Sequence, residues 1–191
     1  RSKIYVDKSE LIVKTNDALC TEQKYICVSR PRRFGKSMAA NMLAAYYDRS
    51  ENTEELFQNL SISKDRSYKE NLNQYDVVKI NMQEFLSQSK DIYDMLQLLK
   101  KSVLWDLLEE YPDYRYFDET NLTRTMSDVY RNTKCPFVII IDEWDCIFRE
   151  YKNDKEAQEK YLDFLRDTLK DKSYIQLVYM TGILPIKKYG T

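Results

Sequence analysis

The chain has 191 residues, which is enough for one compact domain with a buried core. Its 30 basic and 31 acidic residues leave a net charge of −1, so no broad basic field argues for nucleic acid binding. The sequence contains no histidine, which argues against a zinc site and against hydrolases with a histidine base, and leaves acid–base chemistry to carboxylates.

A strand and a basic loop follow a lead-in segment of residues 1–23, which includes a short predicted helix at residues 9–18. The strand is predicted at Tyr25–Ser29, and residues 30–37, Arg-Pro-Arg-Arg-Phe-Gly-Lys-Ser, then lead into a helix. This order is typical of a phosphate-binding loop, in which backbone N–H groups and a helix N-terminus surround an anionic phosphate. We call residues 30–37 the P-loop.

The P-loop predicts specific contacts to a nucleoside triphosphate. Lys36 would reach the β- and γ-phosphates, and the Ser37 hydroxyl would bind Mg²⁺. The residues predicted to contact the nucleotide are Arg30, Arg32, Arg33, Phe34, Gly35, Lys36, Ser37 and Met38.

The P-loop departs from the usual pattern, in which another glycine precedes the Gly-Lys-Ser tripeptide by four intervening residues. Arg30 occupies the position of that glycine, and Pro31 favours an extended backbone at Arg30 and lacks an N–H donor. The charges of Arg30, Arg32 and Arg33 would offset the lost donor. Alternatively, Gly-Lys-Ser is a chance tripeptide and the arginines form a solvated turn.

The middle of the chain alternates predicted helices with one predicted strand. The helix after the P-loop has an apolar face formed by Ala39, Met42, Leu43, Tyr46 and Tyr47. Residues 49–74 read as polar and irregular, with Phe57 and Leu60 as anchors. The elements predicted next are a strand at Asp76–Asn81, a long helix that is marked by apolar residues from Ile92 onward and ends before Pro112, and a helix at residues 119–131.

An apolar run, residues 137–141, ends in the acidic pair Asp142 and Glu143. Such a run is typical of a central parallel strand covered on both faces, and open α/β sheets bind ligands at the carboxyl ends of their strands. Asp142 would hold Mg²⁺ through water, and Glu143 would orient or deprotonate an attacking water. The alternative is that the acids cap the following helix, a role that we favour for Asp145.

A last strand is predicted at Ile175–Gly182, after a helix with one apolar face. It ends at Thr181, whose hydroxyl would hydrogen-bond the attacking water or the γ-phosphate. Thr-Gly after a strand is also an ordinary turn, so its position after the P-loop and the acidic strand carries the interpretation. The three features act together only if their strands end at the same edge of one sheet.

Four segments resemble the AAA-ATPase-like domain family of bacteria and archaea. They are residues 5–9 (Tyr-Val-Asp-Lys-Ser), the P-loop, residues 141–145 (Ile-Asp-Glu-Trp-Asp) and residues 181–185 (Thr-Gly-Ile-Leu-Pro), so the resemblance spans nearly the whole chain. It implies an α/β fold, the P-loop NTPase three-layer α/β/α sandwich with a mostly parallel sheet, of the additional-strand catalytic-glutamate type. In this family the missing first glycine is the rule.

The same resemblance implies an arrangement of strands and domains. An additional strand lies between the P-loop strand and the acidic strand, and we assign Asp76–Asn81 to that place. Residues 1–191 would form a single P-loop NTPase domain. Because the chain begins at Arg1, we expect a piece of a longer protein that stops before any lid. Relatives often carry a restriction-endonuclease-like domain further on, and a nucleic acid would be a partner only through such a domain.

The functional hypothesis is Mg²⁺-dependent binding and hydrolysis of a nucleoside triphosphate, which the resemblance identifies as ATP. Glu143, Lys36 and Thr181 would act in catalysis, and Ser37 and Asp142 would hold the metal. A neighbouring subunit or a missing domain would supply an arginine. The alternative is a nucleotide-gated module that binds a protein client with little or no turnover, and a nucleotide kinase is a distant third.

Two further expectations concern the start of the chain and its surroundings. Asp7 and Lys8 would either approach the adenine or ribose or form a surface cap, and we favour the cap. The chain has no apolar run near the ~18 residues that span a membrane and no signal-peptide pattern. We therefore expect a cytoplasmic protein with no membrane partner.

Overall fold

The computed structural model describes residues 7–184, in which strands and helices alternate. The strands are β1 (Tyr25–Ser29), β2 (Asp76–Asn81), β3 (Phe137–Asp142) and β4 (Ile175–Gly182). The α-helices are α1 (Glu10–Ala18), α2 (Lys36–Tyr47), α3 (Glu54–Phe57), α4 (Tyr68–Asn71), α5 (Met82–Ser87), α6 (Ile92–Glu110), α7 (Leu122–Thr133), α8 (Cys146–Glu150) and α9 (Lys155–Leu169). A 3₁₀ turn covers Ser61–Lys64. Tyr5, Val6 and Pro185, which belong to the segments that resemble the family, lie outside the described residues.

The four strands are parallel and lie in the order β1-β4-β3-β2. An additional strand therefore separates the P-loop strand β1 from the acidic strand β3, but that strand is β4. The assignment of Asp76–Asn81 to this place is wrong. β2 lies at the edge of the described sheet and exposes Lys79, whereas β4 is buried along most of its length and suits an inner position.

Alternate side chains of the fully buried strand β3 enter two cores on opposite faces of the sheet. Phe137, Ile139 and Ile141 pack with helices α5 to α9. Val138 and Ile140 pack with α1, α2 and the short helical turns between residues 54 and 71. Two layers of helices around one parallel sheet confirm the predicted three-layer sandwich of the P-loop NTPase type.

Residues 49–74 are more regular than their polar composition predicts. They form α3, the 3₁₀ turn and α4, and Ile62 and Tyr68 are buried together with the predicted anchor Phe57. Each of these elements has four residues, which is barely one helical turn and too short to produce a periodic pattern. The sequence pattern gives no sign of the short helices α5 and α8 for the same reason.

Side chains that cap the backbone set the starts of the longer helices. Asn121 accepts a hydrogen bond from the N–H group of Arg124 at 3.1 Å, so α7 begins at Leu122 instead of residue 119. Asp154 accepts from the N–H group of Ala157 at 3.0 Å and starts α9 in the same way. None of the helices within residues 7–184 combines the length and the apolar character that crossing a bilayer requires.

Candidate active site

The P-loop follows β1 at the end of the sheet where the carboxyl ends of the parallel strands lie. The N–H group of Arg30 still donates to the carbonyl of Gly182 at 3.1 Å, so the loop starts beside the tip of β4. The backbone then passes through two left-handed residues, Arg33 (φ 68°) and Gly35 (φ 77°), before α2 begins at Lys36. Arg30 is not left-handed, as expected for a residue before proline.

The side chain of Lys36 forms hydrogen bonds with the backbone at the start of the P-loop. Only 8 % of this residue is exposed, and its Nζ donates to the carbonyl oxygens of Arg30 and Pro31, each at 3.0 Å. Pro31 lacks an N–H donor, but its carbonyl helps to fix the lysine. These neutral carbonyls are the hydrogen-bond partners of Lys36 among the described residues, so an anion would stabilise the buried charge further.

The other side chains of the P-loop and the start of α2 face solvent. The exposed residues predicted to contact the nucleotide are Arg30, Arg32, Arg33, Phe34, Ser37 and Met38. The three arginines form no ion pair within residues 7–184. The loop therefore presents uncompensated positive charge, which attracts anions.

Asp142 and Thr181 meet at the tips of β3 and β4, and both are buried, with 4 % and 0 % exposed. The Thr181 hydroxyl donates a hydrogen bond to Asp142 Oδ1. The N–H group of Glu143 donates to the same oxygen at 3.0 Å. Asp142 Oδ2 has no hydrogen-bond partner in the described part of the chain, so it is the oxygen that remains for a cation or for its bound water.

The P-loop and the acidic pair lie at the same end of the sheet, the one formed by the carboxyl ends of the strands, with Thr181 between them. In the sheet register, Thr181 pairs with Val28 of β1, and its neighbour Met180 pairs with Ile141 of β3. Because the strands run in the same direction, their carboxyl ends meet at the same edge. The P-loop and the acidic pair are thus connected through β4, without direct pairing of β1 and β3.

Glu143 follows β3 in a left-handed backbone conformation, with φ 55°. This conformation is uncommon for a residue other than glycine and tends to occur at functional sites. The carboxylate of Glu143 pairs with the guanidinium of Arg149, whose Nε lies 3.6 Å from Asp145 Oδ1. We call Glu143, Asp145 and Arg149 the Arg149 cluster. The carboxylate predicted to direct water is therefore held by a guanidinium in this structure.

Asp145 does not have the capping role that we favoured from the sequence. It occupies the N-cap position of α8, but its side chain makes no capping hydrogen bond. Its Oδ2 accepts instead from the N–H groups of Ile183 and Leu184, at 2.8 and 2.7 Å. The fully buried carboxylate thus joins the end of β3 to the segment after β4.

Gly182 makes this close approach possible. A Cβ atom at Gly182 would lie 2.7 Å from Trp144 Nε1 and 2.9 Å from Asp145 Cγ. These distances are too short for non-bonded atoms, so a larger residue would displace one of the two side chains. The glycine at the tip of β4 is therefore a packing requirement of the site.

Two cysteines near this edge remain protonated at neutral pH. Burial raises the pKa of the Cys27 thiol to about 11, and the negative charge of Asp145 adds to the effect. Burial also raises the pKa of Cys146 to about 12, although Arg149 acts in the opposite direction. Since the thiolate is the reactive form, neither cysteine is a candidate nucleophile.

Sequence reasoning gave Arg149 no role, and for Lys8 it favoured a surface cap over a contact with the adenine or ribose. The spacing of four residues between Asp145 and Arg149 was a usable signal, because such residues face each other on a helix. Near the start of the described residues, the Asp7 carboxylate accepts from the N–H group of Ser9 at 2.8 Å, just before α1 begins at Glu10. Lys8 instead reaches the P-loop, where its Nζ lies 3.4 Å from the position of a Cβ atom built on Gly35.

A search of the curated proteins finds no match to this chain. A family model described as "AAA-ATPase_like: Predicted AAA-ATPase" matches residues 1–191. The match includes the P-loop, the acidic strand and the tip of β4, which are the elements that the fold brings to one edge of the sheet. The chain belongs to the AAA-ATPase-like family.

Proposed function

We propose that this chain binds ATP with Mg²⁺ and hydrolyses it. The observation that supports the proposal most strongly is the Thr181–Asp142 hydrogen bond beside the P-loop. It joins an acidic strand tip to the strand that borders the phosphate loop, so groups suited to a cation and groups suited to a polyphosphate lie side by side. Membership of a family described as a predicted AAA-ATPase favours ATP as the nucleotide.

The residues at this edge fit a magnesium nucleotide. The N-terminus of α2 and the exposed P-loop offer N–H groups and positive charge to phosphates. Ser37 is exposed on the first turn of α2, and Asp142 Oδ2 has no hydrogen-bond partner in the described residues, so these two would hold the metal. Mg²⁺ would supply neutralisation of charge on the phosphate oxygens.

Each catalytic role follows from the surroundings of one side chain. Lys36 would exchange its two carbonyl partners for phosphate oxygens, a stronger charge-assisted pairing. Thr181 would hold Asp142 in place. Glu143 would orient or deprotonate the attacking water once its carboxylate leaves Arg149. An arginine from a neighbouring subunit or a further domain would complete the charge compensation.

A second candidate function is a nucleotide-gated module that binds a protein client with little or no turnover. The ion pair between Glu143 and Arg149 favours it, because a carboxylate occupied by a guanidinium is not free to accept a proton. In this case the bound nucleotide would change the surface at the carboxyl ends of the strands, and the protein client would respond to that change and not to hydrolysis.

Calorimetric titration with ATP, with and without Mg²⁺, followed by phosphate release on the same sample, tests both functions. For an ATPase, Lys36→Ala should abolish binding. Glu143→Gln should preserve binding and slow phosphate release by about 10²-fold or more. Lys14→Ala and Glu150→Gln, which change exposed side chains, are the matched controls.

The outcomes separate the two candidates. Tight binding by the unmodified protein without phosphate release selects the gated module. Normal release by Glu143→Gln shows that another group acts as the base. Failure of the unmodified protein to bind ATP at all rejects both functions.

A further inference from the structure

Lys8 lies outside the P-loop in the sequence, but its side chain approaches the P-loop at Gly35. A Cβ atom built on Gly35 would have Lys8 Nζ at 3.4 Å, and no other described atom from a distant part of the chain lies within 4 Å of that position. Apart from the residues next to Gly35 in the sequence, this ammonium group is therefore the one described group that approaches the position. Lys8 is 27 positions before Gly35 in the sequence (35 − 8), so the fold brings the two together.

The residues on both sides of Lys8 are hydrogen-bonded to the segment at residues 61 and 62. Asp7 accepts hydrogen bonds from the N–H group and the hydroxyl of Ser61, each at 2.7 Å. The fully buried Ser9 accepts from the N–H group of Ile62 at 3.1 Å through its hydroxyl. The backbone on both sides of Lys8 is thus fixed by hydrogen bonds. These hydrogen bonds limit the positions that the ammonium group can reach.

The charge of Lys8 is uncompensated in the described part of the chain. Its Nζ makes no ion pair or hydrogen bond with residues 7–184. Arg30, Arg32 and Arg33 in the adjoining loop also lack ion pairs there. Several neighbouring cations that form no ion pair repel one another, and an anion placed among them removes that repulsion.

We propose that Lys8 is a second phosphate-binding lysine, which donates hydrogen bonds from above Gly35 to the polyphosphate held by the P-loop. It would replace the N–H donor that Pro31 lacks, from a different part of the chain. This inference rests on the proposed function, since it concerns the same nucleotide. It assigns Lys8 to the phosphates and not to the adenine or ribose.

Calorimetric affinity for Mg²⁺·ATP tests the inference in four proteins: unmodified, Lys8→Ala, Lys8→Arg and Lys14→Ala. Lys14 is exposed on α1, the same helix that follows Lys8, so its variant controls for the loss of one positive charge. Lys8→Ala should weaken binding about tenfold at low salt, as expected for one charge-assisted hydrogen bond. Lys8→Arg should retain most of the affinity, and Lys14→Ala should retain nearly all of it.

Salt dependence distinguishes a phosphate contact from a structural role. The affinity ratio between the unmodified protein and Lys8→Ala should fall towards one as ionic strength rises to about 1 M, because salt screens exposed charges. A ratio that does not change with salt, or an affinity equal to that of the unmodified protein, overturns the inference. If Lys36→Ala loses binding while Lys8→Ala does not, the proposed function stands and only this inference fails. If the unmodified protein does not bind ATP, both fall together.

Discussion

Thr181 donates its hydroxyl hydrogen to Asp142 across the tips of β4 and β3. The carbonyl of the same threonine accepts from the N–H group of Trp144 at 3.0 Å, and the carbonyl of the next residue, Gly182, accepts from Arg30 at 3.1 Å. Two consecutive residues of β4 therefore bind the acidic strand on one side and the start of the P-loop on the other. A shift of this strand tip would move both halves of the proposed site.

Replacement of Thr181 by valine tests this link. The variant keeps the shape of the side chain but leaves Asp142 Oδ1 with the N–H group of Glu143 as its remaining donor. We expect the Mg²⁺-dependent gain in ATP affinity to decrease and the free energy of unfolding to fall by about 1–2 kcal/mol. Thr168→Val, at a buried threonine on α9, is the control. Unchanged phosphate release by Thr181→Val, measured beside this control, would remove Thr181 from the catalytic machinery.

Replacement of Gly35 by alanine tests the backbone of the P-loop. The new methyl group would meet Lys8 Nζ at 3.4 Å, an ordinary contact, so the cost comes from the left-handed backbone with φ 77°. We expect a loss of about 1 kcal/mol in the free energy of unfolding by urea, together with weaker ATP binding. Gly35→Asn should lose less stability, because asparagine tolerates this conformation better than alanine does. Equal losses in the two variants would contradict the backbone explanation.

Replacement of Arg149 by methionine tests the Arg149 cluster. Asp145 is fully buried and Arg149 is 14 % exposed at its side chain, so removal of the guanidinium leaves a poorly solvated carboxylate. We expect the free energy of unfolding to fall by about 2–4 kcal/mol. Arg166→Met, in an ion pair with Asp163 in which both side chains are more than half exposed, should cost less than about 1 kcal/mol. Similar costs for the two variants in urea unfolding would show that the cluster is not specially stabilising.

The pH dependence of stability tests the anchoring of Asp7. Burial raises the pKa of this carboxyl, but hydrogen bonds from Ser61 and Ser9 outweigh it and hold the pKa well below its usual range. Because the folded-state pKa is lowered, the stabilisation is present above about pH 4 and is lost as the pH falls below that value. The difference in unfolding free energy between the unmodified protein and Asp7→Asn should therefore shrink in acid. A difference that stays constant between neutral and acidic pH would contradict this, with the exposed Asp17→Asn as control.

The strands were predictable, but their spatial order was not. Apolar runs bounded by turns give β1 and β3 nearly to the residue, because burial of each strand leaves a local pattern. The position of β2 was wrong because chain order does not determine which strand lies between two others. That choice depends on burial across the whole sheet, where the more apolar β4 takes the inner place.

The candidate site was likewise predictable only in part. The P-loop and the pair Asp142 and Glu143 are contiguous motifs and were recognisable from the sequence. The partners of Asp145, Ile183 and Leu184, lie 38 and 39 residues away along the chain, and only the folded sheet brings them together. The approach of Lys8 to the P-loop likewise depends on hydrogen bonds from residues 61 and 62 to its neighbours Asp7 and Ser9.

The most direct test of the central claim is a crystal structure with Mg²⁺ and a non-hydrolysable ATP analogue. The account predicts triphosphate density against the backbone of residues 34–37, with the metal between Ser37 and Asp142. Well-ordered analogue bound at another surface, with the P-loop and the tip of β3 empty, would contradict it.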